Sequence, residues 1–124
     1  MKPLIKICGV ADGDNLIKLI NIEKINFLGF IFYKQSPRNA TKDFINSISN
    51  LDFKNKRAVC VYVNADREFI EETSSYFANP ILQFHGDETN AFCKSFKKDF
   101  WKVIRVKDAE SCANIPRIKN ILKK

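Results

Sequence analysis

Apolar and polar positions along this chain follow two patterns in turn. Short, nearly continuous apolar runs alternate with stretches whose apolar residues recur at i, i+3 and i+4. The first pattern fits strands covered on both faces, the second amphipathic helices packed on a sheet. The runs are Leu4–Val10, Phe27–Tyr33, Arg57–Val63, Pro80–Phe84 and Trp101–Val106. Between them, Leu16, Leu19 and Ile20 mark a first helix, and Phe44, Ile45 and Ile48 a second. Phe69, Ile70, Thr73 and Phe77 mark a third, and Phe92, Cys93 and Phe96 a fourth. A fifth carries Ala109, Cys112 and Ala113; Pro116 interrupts it, and Ile118, Ile121 and Leu122 suggest a further turn. Asp12, Thr41, Asp66 and Asp108 stand where helix caps belong. The order βαβαβαβαβα implies right-handed crossovers and a parallel sheet.

Composition narrows the class. With 124 residues, 45% of them hydrophobic and eleven of them Phe, the chain can form one domain, residues 1–124, with a modest core. No run of about 18 apolar residues exists, so no membrane span is expected. Met1-Lys2-Pro3 leads straight into a strand without a secretory signal pattern, which makes the cytoplasm the expected location. The cysteines Cys8, Cys60, Cys93 and Cys112 form no C-x-x-C pair, and the single histidine, His85, is far from each in sequence. No metal-site spacing results, and a reducing compartment is the simpler reading. The net charge is +7, but the lysines are scattered. That favours a solvated surface first, attraction of a small anionic ligand second, and nucleic acid last.

Ligands of parallel α/β sheets sit at the carboxyl ends of the strands. Cys8 stands at the carboxyl end of the first strand, Arg38 in the loop after the second, and Gln83 and His85 at the end of the fourth. Asn64 follows the third, and Arg105 lies inside the fifth. A thiolate can act as a base, a guanidinium can hold a carboxylate in bidentate fashion, and an imidazole or amide can orient a polar ligand. Each residue also has a plainer reading. Cys8 fits a small buried hydrophobe, Arg38 an exposed loop arginine, and His85 a helix cap or solvent-facing side chain. Asn64 fits a turn, and Cys60, Cys93 and Cys112 fit fillers. Gln83 inside an apolar strand is harder to set aside, because a buried amide needs partners.

Lys6-Ile7-Cys8-Gly9 resembles the opening strand of the phosphoribosylanthranilate isomerases of tryptophan biosynthesis. Leu28-Gly29-Phe30-Ile31-Phe32-Tyr33 with Ser36-Pro37-Arg38 resembles the family's second strand and loop. Val61-Tyr62-Val63-Asn64, Gln83-Phe84-His85-Gly86-Asp87-Glu88 and Lys102-Val103-Ile104-Arg105-Val106 continue the match in order. The resemblance implies a (β/α)₈ barrel and an Amadori rearrangement of N-(5′-phosphoribosyl)anthranilate. The ribose ring opens and hydrogen moves from C2′ to C1′, with no cofactor or metal. It implies that Cys8 is the general base, that Arg38 holds the anthranilate carboxylate, and that Gln83 and His85 line the pocket. Val10-Ala11 and Cys60 depart from the family's pattern, and both departures concern local packing.

Length is the larger departure, since such a barrel takes about 200 residues or more. The resemblance puts the family's general acid after strand six and its phosphate site after strands seven and eight, beyond Lys124. The expected fold is therefore a partial barrel of about five βα units, with an open flavodoxin-like five-stranded sheet as the alternative. Apolar edges and inward faces exposed on strands one and five are expected. So are an absence of turnover by these residues alone, and self-association or complementation by a missing C-terminal half. The second functional reading is a non-catalytic α/β binding or interaction module.

Overall fold

The computed structural model describes residues 3–104. Arg105 and the expected fifth helix, with Asp108 and Cys112, lie outside the described residues. Among the described residues nine elements alternate: β1 (Lys6–Ile7), α1 (Gly13–Ile20), β2 (Phe27–Phe32), α2 (Lys42–Ser47), β3 (Arg57–Tyr62), α3 (Arg67–Ser74), β4 (Ile81–Phe84), α4 (Asn90–Lys94) and β5 (Phe100–Lys102). The strands are parallel and lie in the order β1-β2-β3-β4-β5. Asp12, Thr41 and Asp66 each accept a backbone N–H three residues on, from Asn15, Phe44 and Phe69. Thr89 caps α4 in the same way through Phe92. Each such cap contributes about 1 kcal/mol.

The strand periodicity divides the sheet into two faces. Leu28, Phe30 and Phe32 of β2, Cys60 and Tyr62 of β3, and Leu82 and Phe84 of β4 share one buried cluster with Leu16, Ile45, Ile70 and Cys93 from the helices. All four described helices thus pack on one face. The opposite face holds a smaller cluster of Val59, Val61 and Ile81 with Phe27, Ile31 and Trp101. Side chains on that face meet across the sheet. Lys6 on β1 hydrogen-bonds Gln83 on β4, and the rings of Phe27 on β2 and Trp101 on β5 meet edge-on at 5.1 Å. Each pair spans three strand intervals. Side chains stand nearly perpendicular to a sheet, so in a flat sheet the members would stay roughly 14 Å apart. The sheet is therefore curled, with its inner face concave.

Curl, sequential strand order and one-sided helices are the features of a barrel segment. A flavodoxin-like sheet runs 2-1-3-4-5 with helices on both faces. The sheet is open, as the alternative has it, but it is not doubly wound. At the centre of the inward face the curl leaves Val59, Val61 and Ile81 buried. The first strand is shorter than the apolar run Leu4–Val10. Beyond Ile7 the backbone turns at Gly9 (φ 82°), and the N–H groups of Gly9 and Val10 both donate to the Gly29 carbonyl at 3.0 Å. Leu4 at the other end is 68% exposed.

Candidate functional site

Two glycines build the mouth of the concave face. Gly29 stands on β2 beside the end of β1. A Cβ there would come within 3.0 Å of Cys8 Sγ and 3.1 Å of Lys6 Cε. The missing side chain is the space those two groups use. Gly9 has the left-handed backbone that a non-glycine residue adopts at a cost. A Cβ at Gly9 would come within 2.7–2.8 Å of Nη1, Cδ and Cζ of Arg38. Arg38 therefore lies across the loop that carries Cys8. Its own loop is folded back by Asn39, whose Oδ1 accepts from Tyr33 N at 2.8 Å, and by Ala40 N donating to the Ile31 carbonyl at 2.7 Å. Cys8 and Arg38 line one open cleft with Asp12, Asn15 and Lys18. Cys8 is exposed, so the plainer reading of it as a buried hydrophobe does not hold.

Gln83 and His85 occupy the concave face beside Lys6. Lys6 Nζ donates to Gln83 Oε1, and Gln83 Nε2 meets His85 Nε2. Gln83 is 7% exposed, so both ends of its amide need these partners. Lys6 Nζ also lies 5.7 Å from the centre of the Trp101 ring, within the range of a cation–π contact. Burial lowers the Lys6 pKa from its ordinary value, and Cys8 opposes that shift. Cys8, Gln83 and His85 thus lie at strand ends, Arg38 lies in the loop after β2 against Gly9, and Lys6 joins the β1 end to the β4 end. Sequence reasoning missed Lys6. The available signal was its position two residues before Cys8, which places both on one face of a strand.

A second polar group locks the neighbouring loops. The side chain of Glu88, 3% exposed, accepts from Lys102 Nζ at 3.1 Å and from Asn64 N at 2.8 Å. Burial alone would raise the Glu88 carboxyl. Its own backbone N–H, that of Asn64 and the Lys102 ammonium outweigh burial and hold it below the usual carboxylate range. Asn64 has φ 51° and accepts from Asp87 N through Oδ1 at 2.7 Å, so it does serve a turn. Lys102 also donates to the Gly86 carbonyl. Cys60 and Cys93 are fillers on the helix side. Burial pushes their thiols up, to about 12 and about 11. Among the described residues no group of three or more His, Cys, Asp or Glu could hold a metal ion, and no helix is long and apolar enough to cross a membrane.

A curled parallel sheet with helices outside and polar groups at the strand ends defines a segment of a barrel-type βα protein whose ligand mouth is at the carboxyl edge. Residues 5–122 match the family described as N-(5′phosphoribosyl)anthranilate (PRA) isomerase, and the chain belongs to that family. It is 35% identical over 108 residues to the N-(5′-phosphoribosyl)anthranilate isomerase of Nitrosomonas europaea, covering 87% of this chain and 51% of that protein. It is 34% identical over 116 residues to that of Thermoanaerobacter pseudethanolicus, covering 93% and 56%. The crystal structure of phosphoribosyl anthranilate isomerase from Thermotoga maritima superposes with a TM-score of 0.75 at 26% identity, covering 89% of this chain and 54% of that one. A phosphoribosyl anthranilate isomerase in complex with reduced 1-(o-carboxyphenylamino)-1-deoxyribulose 5-phosphate gives 0.76 at 26% identity, covering 89% and 57%. The chain spans about half the length of the curated relatives it matches.

Proposed function

We propose that this chain supplies the base-bearing part of an isomerase acting on N-(5′-phosphoribosyl)anthranilate. Cys8 takes the proton from C2′ of the ring-opened, N-protonated iminium form. The C2′–H electron pair becomes the C1′–C2′ double bond, and the C1′=N π pair returns to nitrogen, giving the neutral enolamine. Transfer of a proton to C1′ with formation of the C2′ ketone completes the rearrangement. Arg38 pairs with the anthranilate carboxylate, and Gln83 and His85 orient the sugar. The observation that carries this reading is the packing of Arg38 against Gly9, which puts a guanidinium and an exposed thiol in one cleft. The excess of positive charge suits an anionic phosphorylated substrate.

The acid and the phosphate grip of the family fall in units that these residues do not include, so residues 1–124 alone give no turnover. The test is a chimaera joining this chain to the C-terminal units of a curated relative. Conversion of the phosphoribosyl substrate is expected in the chimaera and absent from the 124 residues by themselves. A Cys8→Ser chimaera that keeps the parent's kcat overturns the assignment of the base. Turnover by the isolated 124 residues overturns the need for the further units.

A further inference from the structure

Lys6, Gln83 and His85 form a line of hydrogen bonds whose first member dictates the protonation of the last. A lysine ammonium has N–H donors and no acceptor. The Gln83 atom facing Lys6 is accordingly the carbonyl oxygen, Oε1. The amide is planar and buried, so its NH₂ is turned to the other side, where it meets His85 Nε2. An amide NH₂ only donates, so Nε2 must accept, which an imidazolium cannot do. The opposite amide orientation would set its NH₂ against the lysine ammonium, two donors facing each other. Trp101 under the Lys6 ammonium helps keep it on this path.

We infer that Lys6, acting through Gln83, holds His85 as the neutral imidazole with its proton on Nδ1. Lys6 is a positioning residue, and Gln83 relays its polarity. One consequence rests on the isomerase reading: a ring whose Nε2 already accepts from Gln83 is not the base, and proton removal is left to Cys8. The tautomer itself does not depend on that reading.

His85 is the single histidine of the chain, so ¹⁵N-imidazole labelling gives one pair of ring-nitrogen resonances. The full chain is measured above the ordinary histidine pKa of about 6.5. The native protein is expected to show a protonated Nδ1 and an unprotonated Nε2. Lys6→Met is expected to move the pattern toward the Nε2–H form, and Lys6→Arg, which keeps a donor-only cation, to restore it. A native proton on Nε2 overturns the inference without any variant. So does a folded Lys6→Met protein with unchanged shifts. Should Lys6→Met lose its native amide dispersion, Gln83→Glu takes its place. A carboxylate accepts from both neighbours, so Nε2 is expected to gain a proton, and unchanged shifts there overturn the inference. A chimaera without turnover leaves this pattern untouched, so failure of the isomerase reading is separable from failure of this one.

Discussion

Arg38 lies against the α-carbon of Gly9, so the loop after β2 closes over the loop that holds Cys8. The contact needs two properties of glycine at once: the left-handed φ of 82° and the absence of a side chain. Gly9→Ala is expected to lose about 1–2 kcal/mol from backbone strain, before any cost of moving Arg38. The check is a lower urea midpoint at unchanged m-value.

Gly29 is the second notch, and a methyl group there meets Cys8 Sγ, Cys8 Cα and Lys6 Cε at 3.0–3.1 Å. Overpacking of this kind costs about 1–3 kcal/mol. Gly29→Ala is expected to lower the urea midpoint and to change the rate at which Cys8 is alkylated. Wild-type values for both would show that the neighbours yield freely.

The described thiols differ sharply in exposure. Cys8 is open to solvent, whereas Cys60 and Cys93 are buried with their thiols pushed up to about 12 and 11. Iodoacetamide at pH 8 is expected to modify Cys8 in the native protein and to reach Cys60 and Cys93 only on unfolding. Peptide mass spectrometry reads each site separately.

Glu88 and Lys102 form a pair whose side chains are 3% and 13% exposed. Removing one partner strands the other charge, so Lys102→Met is expected to cost about 3 kcal/mol. The double variant Glu88→Gln, Lys102→Met should recover part of that loss. A double-mutant cycle on urea midpoints measures the coupling.

The same pair makes a pH prediction. The Glu88 pKa is lower in the folded chain than its ordinary 4.5, so the unfolded chain binds more protons in the window between the two values. Its stabilising contribution is present above about pH 5 and is lost as the pH falls through the folded value. Stability measured from pH 6 downward should fall less steeply in Glu88→Gln than in the wild type.

Much of this was legible in the sequence, because strand and helix periods fix which face a residue takes. Cys8, Arg38, Gln83 and His85 are singled out by their places in the chain at or after strand ends, and the buried Gln83 announces its need for partners. Lys6 is not, since its bond to β4 depends on curl, which no local pattern encodes. The pairing of Glu88 with Lys102 joins a loop to a strand beyond an intervening helix and is equally non-local. Helix ends were overestimated: α3 stops at Ser74 and α4 at Lys94, so Phe77 and Phe96 pack on the core from the turns that follow. Their apolar spacing reports burial, which continues after helical hydrogen bonding stops.

The edge-on contact of Phe27 with Trp101 has a consequence for assembly. The arc of the sheet is drawn by rings within these units and does not wait for a closed circle of strands. Two packed rings three strands apart leave the sheet one radius of bend, set inside the described residues.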